Sequence, residues 1–320
     1  MADTKITALT AATSAVEDDV FVIVTDTGTT PATKKITKAN LPFRLPPYKI
    51  TPSISSNDIV LTLTHLDGTT PSASRPLYFE IGTTKRSVTA ALSRTLADGT
   101  NWFNAGSAEL GTKEMDLFPY VVWDSNSSAV GLTFARIPYA RLISEFSSTT
   151  TNEKYCAGYS DFTSTDECVN IGRFAATLSL SGTSHLWTTP TATNANLRHT
   201  PTFETRELDW TPTLSRSTTG YTNVPTLTYA NYQIIGKRLF YSTTYAMHAT
   251  TPGGSGYQTV TLPFQATQNA SGTGFNLTDA YALAIFVAAS TLAGLRLFKY
   301  DGTAEAVAAK TYGAWGNYRL

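Results

Sequence analysis

Carboxylate side chains, the groups with which most glycosidases work, occur in three short clusters along this chain of 320 residues. The clusters are Glu109, Glu114 and Asp116; Asp161, Asp166 and Glu167; and Glu204, Glu207 and Asp209. Glycoside hydrolysis needs two carboxyl groups that face each other across a cleft, and no spacing here predicts such a pair. The two glutamates of the third cluster are more simply interpreted as ion-pair partners of Arg198 and Arg206 at a junction between domains.

The chain has no strong sequence pattern for metal binding or for nucleophilic catalysis. Asp161, Asp166 and Glu167 offer the oxygen ligands that calcium prefers, but they lack the regular alternation of a calcium-binding loop, so we interpret them as a solvated loop. Two cysteines and four scattered histidines do not make a zinc spacing. The serine of Gly-Gly-Ser-Gly at residues 253–256 lies between two predicted strands, which favours a flexible hairpin loop over a nucleophile elbow. We therefore predict a protein that is not an enzyme and needs no metal or cofactor.

Aromatic residues are the more informative chemical feature, because exposed rings amid Asn, Thr and Ser are the surfaces on which sugar rings stack. The chain has 16 Tyr, 15 Phe and 5 Trp. Asn101, Trp102 and Asn104 follow an Asp-Gly turn and form a candidate platform for glycan contact. The alternative is that large rings fill β-sandwich cores or a subunit interface. We favour that alternative for each of the tryptophans, Trp102, Trp123, Trp187, Trp210 and Trp315.

The low charge argues against a nucleic-acid partner. Charged residues make up 15% of the chain, the formal net charge is zero and the isoelectric point is about 6.9. Counterion release on DNA or RNA requires a positive field that this composition does not supply. Hydrophobic residues reach 42%, so the chain can form real cores and we do not expect a disordered protein.

The apolar segments predict neither export nor membrane insertion. The first ten residues have no apolar signal region and no cleavage site. The most apolar run, at 280–295, is shorter than the ~20 residues of a membrane-spanning helix. We expect a soluble protein made in a cytoplasm, where reducing conditions favour free thiols at Cys156 and Cys168. Their spacing also permits one local disulfide, and the sequence leaves that pairing open.

From residue 48 onward the pattern is typical of short β-strands separated by turns. Ile59, Leu61 and Leu63 alternate with smaller or polar residues, and strands 227–235 and 238–245 flank Gly-Lys as a hairpin. The proline inside 117–123 predicts an edge strand or a bulge. Further strands are predicted at 77–81, 87–92, 130–135, 170–181, 257–262, 281–288, 295–300 and 312–320. Residues 137–146 are one of few helix candidates, and the pattern as a whole predicts an all-β sandwich or barrel.

The N-terminal stretch at 5–43 has a different character. A strand rich in β-branched and aromatic residues is predicted at Val20–Thr25, followed by a turn-like run and the short segment at 34–37. A segment of this length with so few large apolar side chains cannot bury much surface on its own. We therefore interpret it as an attachment module that becomes ordered by packing onto another molecule.

The N-terminal stretch contains two Lys-Ile-Thr elements, an Asp-Asp-Val-Phe-Val-Ile-Val-Thr-Asp strand and an Ala-Asn-Leu ending. This combination resembles the N-terminal segment of many tailed-phage virion proteins, chiefly tail fibres and related appendages. This resemblance covers residues 5–41. Residues 227–264 resemble the C-terminal β-domain of phage fibre and appendage proteins. The remainder, including NWFNAGSAEL, NIGRFAATLS and ETRELDWTP, more diffusely resembles hypothetical structural proteins of uncultured phages.

The resemblance implies an architecture of three parts: a short virion-attachment segment at 1–44, a central sandwich-like or barrel-like β-domain at 45–205, and a C-terminal jelly-roll-like β-sandwich at 206–320. It implies a homotrimer, assembled in the host cytoplasm into the virion, with other virion proteins and a host glycan or receptor as partners. The residues expected to make the attachment are Val20, Phe21, Val22, Ile23, Lys34, Lys35, Ile36 and Leu41. Two alternatives remain, a capsid decoration or head-fibre protein and a glycan-binding adhesin or depolymerase-type spike.

Overall fold

The computed structural model describes the strands at 20–25 and 32–37 and the residues at 48–97, 112–181, 184–188, 197–250, 252–287, 295–299, 301–302 and 306–320. The chain divides into two compact units, Met1–Pro47 and Tyr48–Leu320. The predicted all-β class is confirmed. Over the ranges just given, the helical segments are two single-turn 3-10 helices, Ile143–Glu145 and Tyr159–Asp161, and neither is long and apolar enough to span a membrane.

The first unit contains a β-hairpin. Strand β1 (Val20–Thr25) pairs antiparallel with β2 (Ala32–Thr37), with Ile23 opposite Lys34. The strand predicted at Val20–Thr25 is confirmed, in keeping with the preference of β-branched and aromatic residues for extended pairing. The part these strands play in attachment stays a prediction, and Leu41 lies outside the described residues.

The second unit begins with ten strands that form two small sheets and one five-stranded sheet. The strands are β3 (Tyr48–Ser55), β4 (Asp58–His65), β5 (Leu77–Ile81), β6 (Thr84–Val88), β7 (Leu92–Leu96), β8 (Glu114–Asp124), β9 (Ala129–Ala135), β10 (Cys168–Asn170), β11 (Phe174–Ser181) and β12 (Ser184–Trp187). Strands β3, β4 and β7 form a three-stranded sheet, and β5 and β6 form a hairpin. The predicted alternation in β4 is confirmed, because Ile59, Leu61 and Leu63 are fully buried and their neighbours are not.

Strand β8 is the centre of the five-stranded sheet and is buried on both faces. Leu117 and Val121 pack into one hydrophobic cluster, whereas Phe118 and Tyr120 pack into the other. Its neighbours are β9 on one side and β10 and β11 on the other, so the predicted edge position is wrong. Pro119 is tolerated because it lies at the break between β10 and β11, where its carbonyl accepts a hydrogen bond from Ile171 and its missing N–H leaves no ladder bond unmade.

The last nine strands form one antiparallel sheet. They are β13 (Leu208–Asp209), β14 (Leu214–Arg216), β15 (Thr226–Ile235), β16 (Arg238–Ala246), β17 (Gln258–Val260), β18 (Ala270–Asn276), β19 (Tyr281–Val287), β20 (Leu295–Phe298) and β21 (Thr311–Arg319), in the spatial order β13-β15-β16-β21-β18-β19-β20-β17-β14. The sheet curls on itself, since Tyr245 of β16 donates a 2.7 Å hydrogen bond to Gln258 of β17, a strand five places away in that order. The hairpin predicted around Gly236 is confirmed, and Gly236 has the positive φ of 59° that its tight turn requires.

Two sequence predictions fail locally. Residues 137–146 form no α-helix, because their backbone groups bond to the segment at 164–168: the N–H of Ile143 donates to Asp166, and that of Cys168 donates to Arg141. The strand predicted at 87–92 is instead the end of β6 and the start of β7, joined by exposed residues. The domain boundary predicted at 205 stays a prediction. One hydrophobic cluster contains both Phe118 and Tyr241, which lie on opposite sides of it.

Candidate functional site

The outer face of the curled C-terminal sheet carries exposed aromatic rings. In β21, Tyr312, Ala314 and Tyr318 point into the core, so the intervening Trp315 points outward and is 40% exposed. We use the term aromatic face for the outward rings of this sheet, Tyr229, Phe240, Phe275, Phe286 and Trp315.

The centre of the aromatic face is a stacked pair. The Phe275 and Trp315 rings are nearly parallel, with an interplanar angle of 8° and centroids 5.2 Å apart. Gly313, directly opposite Phe275 in the sheet, provides the space, because a Cβ at 313 would lie 3.1 Å from Cζ3 of Trp315. The glycine thus allows two large rings on neighbouring strands to stack on each other.

Polar groups surround this stacked pair. Thr273 lies directly opposite Trp315 on β18, and Ser242 lies opposite it on β16. The hydroxyl groups of Tyr229 and Ser242 are 3.3 Å apart, and the pKa of Tyr229 is lowered by side-chain hydrogen bonds with Ser242 and Thr244. Partly exposed rings amid hydroxyl groups are suited to stack on a sugar or to pack against a protein partner.

The other tryptophans occupy different environments. Trp187 and Trp210 are fully buried, as the core interpretation predicted. Trp123 is half-buried beneath the guanidinium of Arg86. The candidate platform at Asn101, Trp102 and Asn104 lies outside the described residues. The core interpretation is wrong for Trp315, which is 40% exposed because the alternation of inward Tyr312 and Ala314 turns it outward, a signal that the sequence already carried. Its place at a subunit interface stays a prediction.

The described carboxylates of the three clusters have different partners, and Glu109 lies outside the described residues. Asp116 and Glu114 form ion pairs with Arg206, so the expected pairing of Arg206 with Glu204 and Glu207 is wrong. Glu207 accepts a hydrogen bond from Asn231 instead. Arg206 meets these carboxylates because the fold brings β8 beside it, although β8 and Arg206 are distant in the sequence.

The loop cluster is likewise divided. Asp161 pairs with Arg94 at 2.5 Å, whereas buried Asp166 accepts a 2.6 Å hydrogen bond from Ser125 and another from the backbone of Thr163. Across the described residues, no group of three His, Cys, Asp or Glu side chains is placed to hold a metal ion.

The Gly-Gly-Ser-Gly loop at 253–256 is tied down by Arg216. Its guanidinium donates four hydrogen bonds of 2.8–3.1 Å to glycine carbonyls of the loop. The Ser255 hydroxyl lies 3.1 Å from that of Thr219. These hydrogen bonds give the loop a structural role. They hold in place a loop that the sequence predicted to be flexible.

Cys156 and Cys168 are free, which resolves the pairing that the sequence left open. Both are buried in the same hydrophobic cluster. Burial raises the pKa of Cys156 to about 12 and also raises that of Cys168. They therefore behave as small apolar core residues.

Comparison with known proteins identifies no relative. No protein-family model matches the chain, and no curated protein or solved structure is significantly similar to it. The function is therefore argued from the chain's own organisation and surface.

Proposed function

We propose that this protein is a structural component of a tailed-phage virion, a tail fibre or similar appendage. The observation that carries the proposal is the division of the chain into a small N-terminal unit, Met1–Pro47, and a large β unit, Tyr48–Leu320. The small unit coincides with the segment that resembles phage attachment modules. In this proposal it docks on other virion proteins, and the large unit is presented to the host, in a homotrimer of low surface charge.

The aromatic face favours glycan recognition as a second candidate function. The stacked Phe275 and Trp315 rings lie among Ser and Thr hydroxyl groups on an exposed sheet. A host polysaccharide would stack on the rings and bond to the hydroxyl groups, which is the role of an adhesin at the tip of an appendage. A capsid decoration or head-fibre protein would have the same organisation, so position on the particle separates these classes.

Immunogold labelling of intact virions with an antibody against residues 206–320 tests the proposal. Gold at the tail tip or baseplate supports an appendage, whereas gold over the head supports the capsid class. Absence of gold from all particles, with the antibody binding the purified protein, would contradict exposure of this region on a virion.

Attachment is tested separately by deleting residues 1–43. We expect this variant to remain folded and to be lost from particles, whereas the full chain is incorporated. Aggregation or unfolding of the variant would mean that the segment belongs to the core of the protein.

A further inference from the structure

Strand β6 places two cations beside aromatic rings, away from the C-terminal sheet. The guanidinium carbon of Arg86 lies 3.5 Å from the centroid of the Trp123 ring, and Nζ of Lys85 lies 4.1 Å from that of Tyr78. Arg86 pairs across the hairpin with buried Phe79, so its side chain lies on the inward face and reaches the end of β8. Cations within about 6 Å of a ring centroid are attracted by the ring's quadrupole.

Among the residues that the structure describes, no carboxylate forms an ion pair with the Arg86 guanidinium. The described ion pairs engage other arginines, Arg75, Arg94, Arg173 and Arg206, but not Arg86. Its Nε is buried and has no hydrogen-bond partner among the described residues. A buried N–H group without an acceptor costs free energy. An arginine that is held only by an aromatic ring keeps N–H groups that can donate hydrogen bonds to an anion.

A groove of about 390 Å³ adjoins this arginine, within the size range of small-molecule sites. None of the described residues that line it is acidic. Its charged, aromatic and hydroxyl side chains are Lys85, Arg86, Ser87, Thr89, Trp123 and Ser128. The groove therefore combines the positive charge of Arg86 with an indole surface and several hydroxyl groups. The ammonium of Lys85 lies on the other face of β6, over Tyr78.

We propose that this groove binds a carboxylate-bearing sugar, such as a uronic-acid unit of an acidic polysaccharide. Because the face of the Arg86 guanidinium lies against the indole and its Nε is buried, the terminal Nη1 and Nη2 groups remain for the two oxygens of a carboxylate. The hydroxyl groups of Ser87, Thr89 and Ser128 suit the hydroxyl groups of a sugar, which a simple inorganic anion would leave unused.

The site goes beyond the proposed virion role and does not depend on it, since binding is measured on the purified full-length chain. Calorimetric titration with trigalacturonic acid is compared with titration of its methyl ester, which keeps the rings and removes the charges. Sodium sulfate at matched ionic strength is the third ligand. We expect binding of the acid, at least tenfold weaker binding of the ester, and at least tenfold weaker binding of sulfate.

Two variants locate the site. Arg86→Gln is expected to weaken binding of the acid by about tenfold or more, whereas Arg296→Gln, an exposed arginine on β20, leaves it unchanged. Ala129→Trp, at an exposed position lining the groove, blocks binding with Arg86 intact and covers the case in which Arg86→Gln does not fold.

Four results would overturn the proposal: no binding of the acid, equal binding of acid and ester, equal binding of acid and sulfate, or unchanged binding by folded Ala129→Trp. None of these results bears on the location of gold on virions. Failure of this inference is therefore distinguishable from failure of the proposed function.

Discussion

Asp116 on β8 accepts three hydrogen bonds from Arg206, a residue ninety positions later in the chain. Oδ1 accepts from Nη2 at 2.6 Å and from Nε at 2.9 Å, and Oδ2 accepts from the backbone N–H at 2.7 Å. Burial by itself lowers the pKa of Arg206, but the hydrogen bonds and charges of Asp116 and Glu114 outweigh it and raise that pKa. The pair fixes the chain to the central sheet just before β13 begins.

The first prediction concerns this buried pair. Asp116→Asn removes the charge from a side chain with no exposed surface and leaves Arg206 and nearby Arg173 with less compensation. We expect the free energy of unfolding to fall by about 3 kcal/mol, the low end for breaking a buried ion pair. Urea denaturation followed by circular dichroism measures it. Asp67→Asn, which breaks an exposed pair with Arg75, is the control and should hardly move the midpoint. Equal midpoints for the two variants would refute the assigned role.

The second prediction concerns pH. Glu145 accepts a 2.5 Å hydrogen bond from Lys237 and a 3.1 Å bond from the backbone of Arg141. Burial acts to raise the pKa of Glu145, but these bonds outweigh it and the pKa is lowered. A lowered carboxyl pKa stabilises the fold above the ordinary pKa of 4.5, and this contribution is lost as the pH falls through the folded-state pKa.

Glu145→Gln should therefore be less stable than the natural chain at pH 7, by less than about 1 kcal/mol because the pair is partly exposed. The difference should disappear as the pH is lowered well below 4.5. Thermal unfolding at pH 7 and at acid pH measures it, with Glu80→Gln on the exposed face of β5 as the control. A difference that grew on acidification would have the wrong sign.

The third prediction concerns thiol reactivity. Both cysteines are free and buried, and the raised pKa of each keeps it protonated near neutral pH. Because the thiolate is the reactive form, we expect no rapid reaction with Ellman's reagent at pH 8 in the native protein. In urea, both of the chain's 2 cysteines should react. Rapid reaction without denaturant would show that this core is open to solvent.

The fourth prediction concerns the aromatic face. Trp315→Ala should weaken binding on an array of host-type glycans by about tenfold, because it removes one ring of the stacked pair. Stability should change little, since Trp315 is 40% exposed. Phe203→Ala is the matched control, because Phe203 is an exposed ring outside the aromatic face. If the natural chain binds no glycan, or the variants bind equally, the stack is not a sugar site.

The sequence alone determined the local elements of this protein. Alternation of Ile59, Leu61 and Leu63 predicts β4, and Gly236 between two alternating runs predicts the β15–β16 hairpin. These features are local, because side chains alternate across a strand with a period of two and a tight turn needs a residue that tolerates positive φ. The same reasoning failed at 137–146, where the hydrophobic spacing suited a helix but the backbone found its hydrogen bonds in residues 164–168.

Tertiary structure alone decided which distant side chains meet. Arg206 pairs with Asp116 instead of its sequence neighbour Glu207, because the fold brings β8 alongside it. Arg86 of the β5–β6 hairpin reaches Trp123 of the five-stranded sheet, and Trp315 stacks on Phe275 across the paired strands β21 and β18. Residue spacing constrains contacts within one strand or turn, whereas these contacts depend on strand order and register across whole sheets, which local spacing does not specify.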